Sequence, residues 1–168
     1  METDKGAAAV ASVKEGPEAQ TFRLRTQLLQ KGRSHTILAS SRASTGAMNV
    51  AIKCYAGGGE NEYHAHALED HTFIVLQGRA VFVQPDKPPQ ELGRNEGILL
   101  PAGAFYKFEA VSDEPLVLLR VGNVWQPRQG VVEAAASQRV GANGSALPSH
   151  SKANKHVEAV PLEGAYYE

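Results

Sequence analysis

The chain of 168 residues has the ordinary globular balance of 42% hydrophobic and 21% charged residues, which gives one domain a full core and excludes a wholly disordered or fibrous chain. A formal charge of −1 supplies no electrostatic drive toward nucleic acid or an anionic membrane, so a small molecule is the expected ligand. No apolar run approaches the roughly 20 residues that span a bilayer, no secretion signal is legible around Ala7–Val10, and the single cysteine, Cys54, has no disulfide partner within the chain, so the expected compartment is the cytoplasm.

Residues 1–20 are rich in Ala, Gly, Glu and Lys without periodicity and read as a mobile arm. Residues 21–125 carry the domain. From Thr36 onward, short runs of β-branched, aromatic and aliphatic residues predict strands at Thr36–Ala39, Met48–Tyr55, Glu62–His66, His71–Leu76, Arg79–Gln84, Gly97–Leu100, Phe105–Val111 and Pro115–Gly122. Turn chemistry separates them at Gly57-Gly58-Gly59, Gln77-Gly78, Pro85 to Pro89, Pro101-Ala102-Gly103 and Ser112-Asp113-Glu114. No long helical periodicity interrupts this pattern, which predicts an all-β sandwich or barrel. Residues 126–168 read as a partly ordered extension, with a short helix over Val131–Ser137 and an edge strand, or a cover for a partner subunit, over Val157–Tyr167.

Strand side chains alternate faces, so His64 and His66 project from one side and can chelate one ion from a single strand. The segment Ala67 to Asp70 reverses the chain and brings His71 to the same spot. His71 shares its face with Phe73 and Val75, which predicts an interior position, and unpartnered interior imidazoles are costly unless something binds them. Three histidines so arranged predict a divalent metal site. The loop acids Glu69 and Asp70 are expected in solvent, Cys54 in the core, and His35, His150 and His156 outside the cluster. Lys53, Arg79, Arg94, Lys107 and Arg120 form no basic stripe and are expected at the surface or the rim.

The stretch Gly58 to Gly78 resembles the first motif of the cupin superfamily: Gly58, His64, His66 and Gly78 fall on its spacing, with His71 where the family usually has glutamate. Pro101-Ala102-Gly103 is similar to the centre of the second motif, whose first glycine position is Asn95, histidine position Tyr106 and asparagine position Ala110. The resemblance implies a single double-stranded β-helix, or jelly-roll, barrel over Thr36 to Gly122, and a homodimer paired through exposed strands.

Three neutral imidazoles leave a divalent ion its full charge, which favours an anionic ligand. Tyr106 is a phenolate ligand, a general acid beside the substrate, or a packed tyrosine with its hydroxyl bonded. Phe73, Val75 and Phe108 would line an apolar pocket for a small organic substrate. The expected function is a metal-dependent enzyme acting on a small anionic or enolisable substrate. Iron would make it similar to the three-histidine cupin dioxygenases; zinc, manganese or nickel would make it a Lewis-acid lyase, isomerase or decarboxylase. A non-catalytic metal- or ligand-binding barrel is the alternative.

Overall fold

A computed structural model describes residues 18–43, 46–58, 60, 62–125, 139–140, 146–147 and 157–168. The expected N-terminal arm up to residue 17, the helix at Val131–Ser137, His150 and His156 lie outside these residues. All regular structure described is strand. The strands are β1 (Thr26–Ala43), β2 (Gly46–Ala56), β3 (Ala65–His66), β4 (Glu69–Gln77), β5 (Ala80–Val83), β6 (Gln90–Leu92), β7 (Gly97–Leu100), β8 (Lys107–Ala110), β9 (Leu116–Trp125), β10 (Arg139–Val140), β11 (Ala146–Leu147) and β12 (Val160–Tyr167). No helix among the described residues is long and apolar enough to cross a membrane.

A six-stranded sheet in the order β12-β1-β2-β9-β4-β7 packs against a three-stranded sheet, β6-β5-β8, and a second three-stranded sheet has the order β11-β10-β3. All pairings are antiparallel. The inward faces of β2, β4, β5, β8 and β9 contribute Tyr55, Phe73, Val75, Phe82, Phe108, Leu116 and Leu118 to one core cluster. The opposite face of the large sheet is also apolar, with Ile52, Cys54, Leu76 and Val117 packed under Leu29. Cys54 is therefore buried, but on the side of the sheet away from the barrel interior.

The turns that set this geometry sit where the chain must enter left-handed backbone. Gly78 and Gly103 have φ of 76° and 81°, and Asn95 takes φ of 67° at the position where the second cupin motif has glycine. Asparagine tolerates that conformation better than other side chains, so the turn survives the substitution.

The sequence reading understated the first strand. β1 runs from Thr26 to Ala43 because it changes partner midway: Thr26 to Lys31 pair with β12, and Gly32 to Ala43 pair with β2. Its first half is weakly patterned on its own and acquires strand structure from that distant partner, a non-local cause that a local pattern does not register. β6 was missed because it is only three residues, two of them polar, between Pro89 and Gly93, and takes its strand structure from pairing with β5. At the changeover, Gly32 has φ of 83°, and a Cβ there would stand 2.7 Å from the Glu158 carbonyl oxygen and 2.8 Å from that of Val157. Gly32→Ala should therefore lower the unfolding free energy by about 2 kcal/mol, from left-handed strain and displaced backbone. Urea denaturation checks this, and an unchanged midpoint would show that the β1 crossover does not depend on glycine.

Candidate metal centre

β3 is only Ala65–His66, yet it is held on both sides. His64 exchanges backbone hydrogen bonds with Tyr106, the Tyr106 N–H donating to the His64 carbonyl at 3.0 Å and the His64 N–H to the Tyr106 carbonyl at 3.2 Å. On the other side Ala65 and His66 pair with Val140 and Arg139 of β10. The Gly103 N–H donates to the His66 carbonyl, and Asp70 Oδ1 accepts from the Ala102 N–H, so the Pro101-Ala102-Gly103 turn is tied to the histidine strand.

Alternation then brings the rings together. The His64 and His66 ring centroids are 5.2 Å apart, those of His66 and His71 are 4.1 Å apart, and Tyr106 lies 4.7 Å from His64. These four side chains, with Phe73 and Phe108, line a cavity of about 510 Å³. Val75, fully buried, lies in the core cluster and is not among the lining residues.

The acid that sequence reasoning placed in solvent is at the centre. β4 begins at Glu69, not at His71, so the reversal is only Ala67-Leu68 and Glu69 falls on the inward face two residues ahead of His71. Glu69 is 4% exposed. Its Oε2 lies 3.0 Å from His71 Nε2 and 3.4 Å from His66 Nδ1, while Oε1 accepts from Arg120 Nη2 at 2.5 Å. Ligand atoms of His66, Glu69 and His71 all lie within 4.8 Å of one another, and His64 stands beside that trio.

Arg120, expected at the rim, is instead 7% exposed. Its Nη1 donates to Asn49 Oδ1 at 2.7 Å, and its Nη2 lies 2.5 Å from His71 Nε2 as well as from Glu69. Gly122 makes this possible: a Cβ at that position would fall on Glu69 Oε1 and within 3.0 Å of both guanidinium nitrogens. His35, placed outside the cluster by sequence, also lines the cavity, because β1 continues past the predicted strand. The available signal for Glu69 and Arg120 was alternation extended by one step: Glu69, His71, Phe73, Val75 on β4, and Leu116, Leu118, Arg120 on β9.

Electrostatics suit lone-pair donation. Burial lowers the His66 pKa to about 4, against the opposing pull of Glu69, and burial also lowers that of His71, so both rings are neutral at pH 7. Burial alone would raise Glu69, but the adjacent His66 and His71 rings and the charge of Arg120 hold its carboxyl well below the usual range. His64 Nδ1 is 2.8 Å from the Glu62 carbonyl, so that nitrogen carries the proton and Nε2 carries the lone pair. His66 Nδ1 is buried without a hydrogen-bond partner. Neutral imidazoles, an ionised carboxylate and an orphaned ring nitrogen at one point fit a divalent ion.

Residues 51–122 match the family model described as a cupin domain. No curated protein matches the chain. Among solved structures, a conserved protein of unknown function from Streptococcus pyogenes is 20% identical with a TM-score of 0.50, covering 73% of this chain and 100% of that one. KdgF from a Halomonas species is 14% identical with a TM-score of 0.48, over 56% of this chain and 81% of that one. The DMSP lyase DddQ from Ruegeria pomeroyi is 17% identical with a TM-score of 0.48, over 67% and 53% respectively. Likeness at this identity is likeness of fold. The motif spacing, the antiparallel pairing and the family match agree on a cupin domain over residues 51–122.

Proposed function

We propose that the chain is a metal-dependent enzyme that binds a small anionic, enolisable organic acid and moves a proton on it. The observation that carries this reading is the convergence of His66, Glu69 and His71 donors within 4.8 Å on the wall of the cavity. These three residues would hold the ion, with His64 completing the set. A divalent ion there would supply Lewis acidity to a carbonyl or carboxylate oxygen.

The chain's own residues supply the rest. Tyr106 is 3% exposed, and its hydroxyl lies 3.3 Å from His71 Nδ1. With Nε2 turned to the ion, His71 Nδ1 would carry the ring proton and donate to the phenol oxygen, which orients the phenolic proton toward the cavity. Arg120 keeps Glu69 ionised and aimed, and Phe73 and Phe108 shed water from the floor. Tyrosine at the second-motif histidine position supports proton transfer over oxygen chemistry, because the three-histidine dioxygenases that the motifs resemble take a ligand from that position.

Metal analysis of the purified protein should find one divalent ion per chain, cut about tenfold or more by His66→Ala, His71→Ala or Glu69→Gln in variants that still melt cooperatively. Full metal in all three would sink the centre, and oxygen uptake with enolisable acids would replace proton transfer by dioxygenase chemistry. Gly122→Ala, whose Cβ would fall on Glu69 Oε1 and beside the Arg120 guanidinium, should weaken metal affinity about tenfold by displacing both; unchanged affinity would show that this placement of Glu69 does not matter to the ion. In chelator-treated protein, unfolded His66 takes up its proton near the ordinary imidazole value of 6.5, whereas folded His66 resists until about 4. Stability should therefore fall as pH drops through that interval, and less so in His66→Gln. Parallel profiles for the two proteins would contradict a buried neutral His66.

A further inference from the structure

Away from the histidines, the wall of the cavity carries a second phenol. Tyr55, near the end of β2, pairs with Arg33 on β1 and with Leu116 on β9, and it shares the barrel core with Leu116 and Leu118, so its ring points inward. Tyr55 is 2% exposed and packs edge-on against Phe108 at 5.0 Å between centroids. Phe108 lies 5.9 Å from Phe73, and Phe73 meets His71 edge-on at 5.9 Å. Two aromatic rings therefore stand between this tyrosine and the histidine cluster, and all of them line one cavity.

The hydroxyl of Tyr55 makes no hydrogen bond among the described residues, although the residue is almost wholly buried. A buried tyrosine ordinarily finds a partner, because a phenol taken out of water without one loses the hydrogen bonds that water gave it. Tyr106, the other phenol of the cavity, has His71. At the histidine end the same signature, a buried polar atom without a partner, marks His66.

Tyr55 also borders a separate cavity of about 610 Å³, whose acids are Glu60, Asp113 and Glu114. Its hydroxyl belongs to the histidine side. Burial raises the phenol to about 12, and of the charges acting on it those of Arg33 and Arg120, which line the histidine cavity, outweigh that of Glu60. The group stays protonated at neutral pH and offers a donor to whatever lies beside Phe108.

We propose that the Tyr55 hydroxyl is a ligand-recognition group, so that the ligand carries an uncharged oxygen acceptor, a hydroxyl or a carbonyl, at the end remote from the histidines. Its acid group sits at the histidine end, its carbons lie over Phe73 and Phe108, and its far oxygen meets Tyr55. Only the placement of the acid group rests on the proposed function; the far oxygen is recognised by Tyr55 alone.

Calorimetric titration with butyrate, hexanoate and octanoate, each against its ω-hydroxy derivative, tests the contact. The protein is incubated with zinc, and bound zinc is assayed on the same samples. At the chain length that reaches Tyr55, the hydroxy acid should bind about fivefold more tightly than its parent. Tyr55→Phe should abolish that preference without weakening the parent acid. Because the hydroxyl has no partner in the fold, the same variant should keep the wild-type urea midpoint; a clear fall would reveal a structural hydrogen bond and overturn the assignment. Wild-type protein that binds each pair alike, or binds none, would overturn it too, as would a preference that survives Tyr55→Phe and disappears in Tyr106→Phe. A preference that depends on Tyr55 in protein holding no zinc would sink the metal centre and leave the recognition group standing; bound zinc without any preference would do the reverse.

Discussion

The structure turns on one buried charge, the carboxylate of Glu69. An ionised carboxylate inside a barrel is strongly unfavourable unless its desolvation is offset by partners with good geometry. Arg120 supplies the opposite charge, the two imidazoles surround the second oxygen, and Asn49 fixes the far side of the guanidinium. Each partner comes from a different strand: β9, β2, β3 and β4. The pair therefore demands that these strands keep their register, since a slip of one residue would turn Glu69 or Arg120 to the opposite face of the sheet. Gly122 is part of the same constraint, because any side chain there would occupy the space of the carboxylate.

That demand explains why a two-residue strand can carry a site. β3 alone has too few hydrogen bonds to hold its place. It is positioned by Tyr106 on one side and β10 on the other, and the turn after β7 reaches it through Gly103 and Asp70. Tyr106 serves twice: its backbone aligns His64 while its hydroxyl meets His71. Exchanging the family's histidine for tyrosine thus keeps the ladder and changes only the chemistry at the tip of the side chain.

Much of the fold was legible because its signals are local. Glycine and proline at the turns, the alternation on β2, β4 and β9, and the spacing of Gly58, His64, His66 and Gly78 all act within a few residues of themselves. The inward face of β4 was read from His71 onward, and the cavity holds His71 and Phe73 as that face requires. Glu69 was lost because an acid next to another acid after a short helix-neutral run looks like a solvated loop. Alternation carried one step back from His71 would have turned it inward, but its burial depends on Arg120, 51 residues away, and the pairing itself leaves no mark in either neighbourhood. His35 and the long β1 were lost likewise, since Gly32 redirects the strand between two partners that sequence keeps far apart.

The distribution of charge inside the barrel then narrows the chemistry more than the fold does. A jelly roll with a dry aromatic floor accepts many small molecules, and its architecture chooses among none of them. Here the histidine end is a set of lone-pair donors compensated by one guanidinium, while the wall on β1 and β2 is cationic. A cation placed among the donors raises the positive potential of the whole cavity, and Arg33 and Lys53 extend it in one direction, toward the large sheet. The field therefore has an axis, running over Phe73 from the imidazoles to Lys53. On the proposed reading, an anionic ligand would be oriented by that axis before any contact is specific, which is what Tyr106, as an acid or base on one fixed side, would require to meet the same atom of it each time.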